Sequence, residues 1–368
     1  MNNILRWLSV VNDIRQQAKV KHLMKDIIAI VFFASLANAD DWVEIHLFAV
    51  VNEKFLRKYL ELPHGIPSHD TIQRVFGIVS PEYLQAFRKR WDEVMTGTMG
   101  GRIKRILGID GKTQRGNGTA YQSANHIVSA VDDKGFCVGE VRVNDKSNEI
   151  TAIPELLRLL NIKGSIITTD AMGCQMAIAK IIRKRQADYL LALKGNQGTL
   201  FDDVKLYFGD LELLSKCAYH KTTEKARSGI EKREYWQTDD INWLSQKKDW
   251  IGLRSIAMTR NTIIKNGVET METRYFISSL PLGIEEVARA IRGHWMVESY
   301  HWHLDVTFRE DANHTLDKWA AFNLNILKKI AINTLKLLDV GIERISLRKK
   351  RYMLCMDFER FFEKLMEI

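Results

Sequence analysis

Cysteine is scarce in this chain, and its placement excludes more than its number does. Cys137, Cys174, Cys217 and Cys355 are spread over 368 residues. No two form a CxxC pair, so zinc-ribbon and thioredoxin-like readings fail. Scattered thiols fit a reducing cytosol. Long apolar runs are missing too. The longest, Ile27 to Ala37, is too short to cross a bilayer. It follows a polar start and has no small-residue cleavage site in the usual place, which argues against a secretory signal. It reads as a buried core helix in a cytoplasmic protein with no membrane partner. Acidic residues are in deficit: 54 Lys and Arg against 45 Asp and Glu leave a net charge of +9. Such a surplus suits a partner rich in phosphates or an anionic membrane surface, although basic proteins are common. Hydrophobic residues are not lacking. At 46%, with 27% charged, the composition is that of a globular protein long enough for two or three domains.

Up to about Gly100 the pattern is helical. Ile27, Ile28, Val31, Phe32 and Ser35 recur at helical spacing, as do Trp42, Ile45, His46 and Ala49. Ser68 caps a helix running through Val75 and Phe76, and Ser80-Pro81-Glu82 starts the next. Two short helices in tandem permit a helix-turn-helix in which Arg74, Arg88, Lys89 and Arg90 meet phosphates. A helical bundle with a solvated basic face is the competing reading. Thr96 to Gly101 has the composition of a domain boundary.

Beyond Lys104 the period changes. Ile106 to Asp110 reads as a strand that delivers one acid and stops at Gly111. His126 to Val131 and Phe136 to Val143 complete an antiparallel meander. Glu149 to Leu160 is an amphipathic helix, and Gly164 to Asp170 a fourth strand, again ending in an acid. A helix over Gln175 to Arg185 leads to a fifth strand, Asp188 to Leu193. This is the element order of an α/β RNase H-like mixed sheet, in which the first and fourth strands are neighbours. Asp110 and Asp170 then meet at one edge. Two carboxylates so close repel unless a cation lies between them, and hard oxygen ligands suit Mg²⁺ or Mn²⁺. A strand-end aspartate can also be no more than a turn former.

From about Gly195 to Ser279 short strand-like runs predict a mostly β insertion. Helical pattern resumes at Ile284. There His294, Glu298, His301 and Asp305 share one narrow face beside an apolar stripe of Met296, Val297, Tyr300, Leu304 and Phe308. Glu298 is thereby a candidate to meet the sheet edge. A solvent-facing polar stripe, or a transition-metal site of His294, Glu298 and His301, are the other readings, the latter without an HExxH pattern. The C-terminal fifth is helical, with Phe322 to Leu338 amphipathic and a basic run Arg348 to Arg351 that either touches DNA or lies on a solvated helix face.

GIPSHDT at residues 65–71, then GIDGKTQRG, TTDAMGCQ, LALKGNQ, RSGIEKRE, RYFISSL and HWMVESYHWHLDVTFRED follow one another in the order found in ISAs-type insertion-sequence transposases. The chain resembles this group, which includes the H-repeat-associated proteins of the DDE superfamily, over nearly its whole length. The resemblance implies four regions. These are a helical N-terminal associated domain (1–100) with possible DNA binding, an RNase H-like core (101–195), a mostly β insertion (196–283), and a region (284–368) completing the core. It implies a DDE triad of Asp110, Asp170 and Glu298 holding two Mg²⁺ or Mn²⁺ ions, with Asp110 bridging them. It further implies cleavage and strand transfer on double-stranded DNA at terminal inverted repeats and target, a homodimer on DNA, and a bacterial, nucleoid-associated location. Where other branches carry Tyr, Arg and Lys around the glutamate, this chain has Ile291, His294 and Asp305, as the ISAs-type branch does. Lys112, Arg115, Lys194 and Asn196 lie just past strand ends, where they either hold the DNA backbone or are solvated loop residues. His294 and Trp295, with Trp302, are further candidates for DNA contact, by stacking or otherwise; aromatics at helical spacing are also commonly core. The alternative function is a domesticated or inactive transposase that only binds DNA.

Overall fold

The computed structural model describes residues 13–96, 105–144, 147–226 and 229–367. Most of the expected Thr96–Gly101 boundary, and two residues of the RSGIEKRE stretch, lie outside them. A nine-stranded sheet organises the chain, in the order β3-β2-β1-β4-β5-β9-β8-β7-β6. Strands β1 (Ile106–Thr113), β2 (His126–Asp132) and β3 (Cys137–Arg142) form the antiparallel meander. β4 (Ile166–Thr169) lies parallel to β1, and β5 (Asp188–Leu193) parallel to β4. The expected neighbours are therefore neighbours.

The expected insertion extends the same sheet. β6 (Ala218–Ala226), β7 (Gly229–Thr238), β8 (Ser255–Lys265) and β9 (Val268–Ser278) form a long antiparallel ribbon. β9 pairs antiparallel with β5, from Leu190 opposite Ser278 to Leu193 opposite Tyr275. The β8–β9 turn places Asn266 and Gly267 both at positive φ, the pattern that asparagine–glycine favours in a two-residue hairpin.

Helices cover both faces. α1 (Met24–Leu36), α2 (Trp42–Val51), α3 (His69–Phe76) and α4 (Pro81–Thr96) precede the sheet; α5 (Glu149–Leu159), α6 (Met176–Lys184) and α7 (Gly198–Gly209) interrupt it. α7 was not expected from the sequence. α8 (Ile284–Trp302), α9 (Lys318–Leu337), α10 (Leu347–Met356) and α11 (Phe358–Glu367) follow. Alternation along β1 assigns the faces: Leu107 and Ile109 join the core with α5 and α6, whereas Ile106 packs with Val287 and Ile291 of α8. Gly108 lies directly under α8, where a Cβ would press on the backbone of His294.

α9 departs from its expected amphipathic form, since every residue from Ala320 to Leu335 is buried. Its polar side chains are bonded internally. Asn323 Nδ2 donates to Phe76 O and Val79 O at 2.7 and 2.8 Å, fastening the α3–α4 turn. Lys328 Nζ donates to Asp40 O and Phe308 O, and Lys329 Nζ to Ser129 Oγ. The tandem helices are thus part of a bundle. Arg88 is buried in an ion pair with Glu140 of β3, which withdraws it from the phosphate contacts expected of it; Arg74 and Lys89 are exposed. The side chain of Arg90 lies outside the described residues. The C-terminal basic run is also half structural. Arg351 is fully buried on Asp40 (2.7 Å), and Lys350 Nζ donates to Leu335 O and Leu338 O. Only Arg348 and Lys349 of that run are exposed. Among the described residues no helix is long and apolar enough to cross a membrane.

Candidate active site

β4 stops at Thr169, which is opposite Ile109. β1 continues to Thr113 because β2 still pairs with it. This corrects the expectation that β1 ends at Asp110. Beside Asp110 and Gly111 the sheet is open on one side, so groups from both faces can meet there. Oxygens of Asp110, Asp170 and Glu149 lie within 4.8 Å of one another. Glu149 is the first residue of α5 and was not singled out from the sequence. An acid in a first helical turn is ordinarily explained by the helix dipole, and nothing local announces its burial.

Each acid is held by a different device. Asp170 Oδ1 accepts from the amides of Met172 and Gly173 at 3.0 and 3.2 Å, the turn-forming role anticipated for such a residue. Asn196 Nδ2 donates to Ala171 O, and Gln197 Nε2 to Cys174 O, so the loop after β5 braces the Asp170 turn. Asp110 Oδ2 lies 3.4 Å from His301 Nδ1. Glu149 Oε1 is 2.7 Å from His126 Nε2, whose Nδ1 is 2.8 Å from Thr113 Oγ1. Since a carboxylate only accepts, Nε2 donates to Glu149, and the Thr113 hydroxyl pairs with Nδ1.

The electrostatics show an acid excess. Burial raises the Asp170 carboxyl, and the Glu149 and Asp110 charges add to this against the pull of the Gly173 amide. At Asp110 burial acts in the same direction, but the His301 hydrogen bond, with His301 and His294 nearby, outweighs it and holds the carboxyl below its usual value. Among the described residues no lysine or arginine forms an ion pair with any of the three acids. Three acceptor-only oxygens without a cation are a fitting donor set for a hard divalent ion.

The face of α8 predicted from spacing meets β1 and β4, so a purely solvent-facing stripe is ruled out. His294 Nδ1 is 3.0 Å from Thr168 Oγ1, and desolvation pushes its pKa down to about 4. His294 is therefore a half-buried ring bonded to β4. His301 faces Asp110. Asp305 lies in a five-residue π-turn after α8 and takes Lys112 Nζ at 2.7 Å. Glu298 is exposed and stands outside the three-acid cluster. Desolvation raises its carboxyl in spite of Arg274, and the charge of Asp110 contributes.

Lys112 is likewise not free for a phosphate. Its ammonium sits among Asp305, Glu310 and Asp311 at 2.7, 3.2 and 3.1 Å. Asn196 is occupied by its brace. Arg115 and Lys194 are exposed near the site. Trp295 stacks under the Arg274 guanidinium at 4.7 Å, and Trp302 is exposed.

A mixed sheet of this order, with two aspartates meeting where its first and fourth strands part, defines an RNase H-like α/β protein with an acidic centre. The family model described as Transposase DDE domain matches residues 101–334, and the one described as DDE_Tnp_1-associated matches 5–92. The putative transposase YncI of Escherichia coli O157:H7 is 37% identical over 345 residues, 91% of this chain and 88% of its own length. The H repeat-associated putative transposase YhhI of Escherichia coli K12 is 36% identical over 367 residues, 97% of this chain and 96% of its own. An uncharacterized protein in the dhlA 3′ region of Xanthobacter autotrophicus is 39% identical over 260 residues, 70% of this chain and 88% of its own. The chain belongs to the DDE-superfamily transposases, in their H-repeat-associated group.

Proposed function

We propose that this protein cleaves and joins DNA at the ends of an insertion sequence, with Asp110, Asp170 and Glu298 holding two Mg²⁺ or Mn²⁺ ions. The observation that carries this reading is the meeting of Asp110 and Asp170 at the open edge between β1 and β4, where among the described residues no lysine or arginine pairs with either acid. Divalent ions held there supply Lewis-acid stabilisation of the scissile phosphate and lower the pKa of an attacking water. The chain supplies orientation. His301 fixes Asp110, the Met172 and Gly173 amides fix one oxygen of Asp170 and leave the other for a ligand, and Asn196 holds that turn in place. Glu298, on α8, is the third ligand of this reading; its carboxyl feels the charge of Asp110. In this reading exposed Arg115 and Lys194 take backbone phosphates. Water breaks a phosphodiester bond at the element's end, leaving a 3′-hydroxyl. That hydroxyl attacks a target phosphate, forming one ester and releasing another. Double-stranded DNA and a second copy of the chain are the partners of this reading.

The test is cleavage of DNA carrying the flanking inverted repeats, with Mg²⁺ or Mn²⁺, by wild type and by Asp110→Asn, Asp170→Asn and Glu298→Gln. Wild type is expected to cut and each variant to lose cutting while still binding the repeats. Full cutting by a variant removes that residue from the triad. Binding without cutting by wild type supports the DNA-binding-only alternative.

A further inference from the structure

The proposed triad leaves one buried acid without a task. Glu149 has a side chain only 11% exposed, and it faces two aspartates. A glutamate needed only to favour a helix start gains the same dipole interaction from a solvated position. Burial beside like charges is costly unless the group is coordinated. Among the described residues its polar partner is His126, itself bonded to Thr113. Gly111 belongs to the same arrangement: a Cβ there would overlap both Glu149 Oε1 and His126 Nε2. The glycine after Asp110 has no positive φ to explain it. Its use is to let a carboxylate from the α5 face reach the open edge of the sheet.

We infer that Glu149 is a fourth carboxylate of the metal site, positioned by His126 in the space that Gly111 leaves. The inference rests on the reading that divalent ions bind at Asp110 and Asp170. With Glu149 the site carries four negative charges, which balance two divalent cations; the triad alone leaves one positive charge over.

The experiment is Mn²⁺ titration of the full chain without DNA, read by the electron paramagnetic resonance of free Mn²⁺, so that it does not depend on catalysis. Glu149→Gln is expected to weaken Mn²⁺ binding on the order of 10–100-fold, and Gly111→Ala to weaken it without removing a charge. Glu155→Gln should bind as wild type does. Should Glu149→Gln not fold, judged by its circular dichroism, Glu149→Asp, which keeps the charge and draws the oxygens back, takes its place. Wild-type affinity in the Glu149 variant together with Gly111→Ala overturns the inference. Asp110→Asn then separates the two claims: if it has lost binding, the Asp110–Asp170 site stands without Glu149, and if it has not, both fall.

Discussion

Lys112→Met separates a structural lysine from a DNA-binding one. The ammonium has three hydrogens, and three carboxylates surround it at 2.7 to 3.2 Å, with the side chain only 10% exposed. Glu310 is 3% exposed, and its hydrogen bonds among the described residues come from neutral amides, those of Gln114 and Asn325. Burial opposes the Lys112 charge, but Glu310, Asp305 and Asp311 outweigh it and hold the lysine protonated above its usual range. At Glu310 burial is likewise outweighed, first by Lys112, and the carboxyl is held below its usual value. Replacing lysine by methionine keeps the stem and removes the charge, leaving Glu310 buried without its nearest cation. Breaking such a pair costs about 3–5 kcal/mol, or roughly 4–6 °C in melting temperature at the unfolding entropy of a chain this long. The Glu310 contribution is present above the ordinary value of 4.5 and is lost as pH falls through the lowered folded value. The Lys112 contribution is present below 10.5 and is lost only as pH rises through the raised folded value. The deficit of the variant should therefore be largest between these limits and shrink in acid, where Glu310 is neutral in both proteins. Urea unfolding at neutral and acid pH measures it. A loss under about 1 kcal/mol, with weaker DNA binding and a salt slope reduced by about one, would refute the structural role and return Lys112 to the phosphates.

Asp170→Asn keeps an oxygen for the Met172 and Gly173 amides but removes repulsion from Asp110 and Glu149, so without metal it should be more stable than wild type by roughly 2 kcal/mol. The raised Asp170 pKa makes the charged form the costly one; the gain should appear at neutral pH, vanish below about pH 4 in thermal melts, and be cancelled by added Mg²⁺. Asn323→Ala leaves the carbonyls of Phe76 and Val79 without their donor and should cost roughly 2–3 kcal/mol in urea unfolding. Arg115→Ala and Lys194→Ala should each lower the salt slope of DNA binding by about one while melting as wild type does; an unchanged slope would remove that residue from the interface.

Local pattern sufficed for elements whose identity is local. The meander, the α5 and α6 stripes, β5 to the residue, and the Ser68 cap, whose hydroxyl accepts from Thr71 N, all follow from spacing and turn chemistry. So does the adjacency of Asp110 and Asp170, because strand order implies it. α7 was missed because its glycine start and mixed composition lack a clean start signal. The charged residues were misjudged for a different reason. Arg88, Lys112 and Arg351 read as surface cations because each sits in a polar stretch, yet their partners lie 52, 199 and 311 positions away. Periodicity has no access to such pairings, whose energy is tertiary.

The same limit explains why the acidic centre was only partly legible. Spacing on α8 put His294, Glu298, His301 and Asp305 on one face, and three of the four do meet β1 or β4. What spacing could not say is which partner each would meet. Asp305 is taken by Lys112 and His301 by Asp110, so the face is a clamp on β1 as much as a ligand set. Glu149 reaches the aspartates from the opposite face, through an opening that exists because β4 is four residues long and β1 eight. That difference in length is visible in the sequence only when both strand ends are known. The glycine at position 111, read first as a stop, is better understood as clearance. A strand that had to end at Asp110 would need a turn there; a strand that continues, with a carboxylate passing beneath it, needs a residue without a side chain.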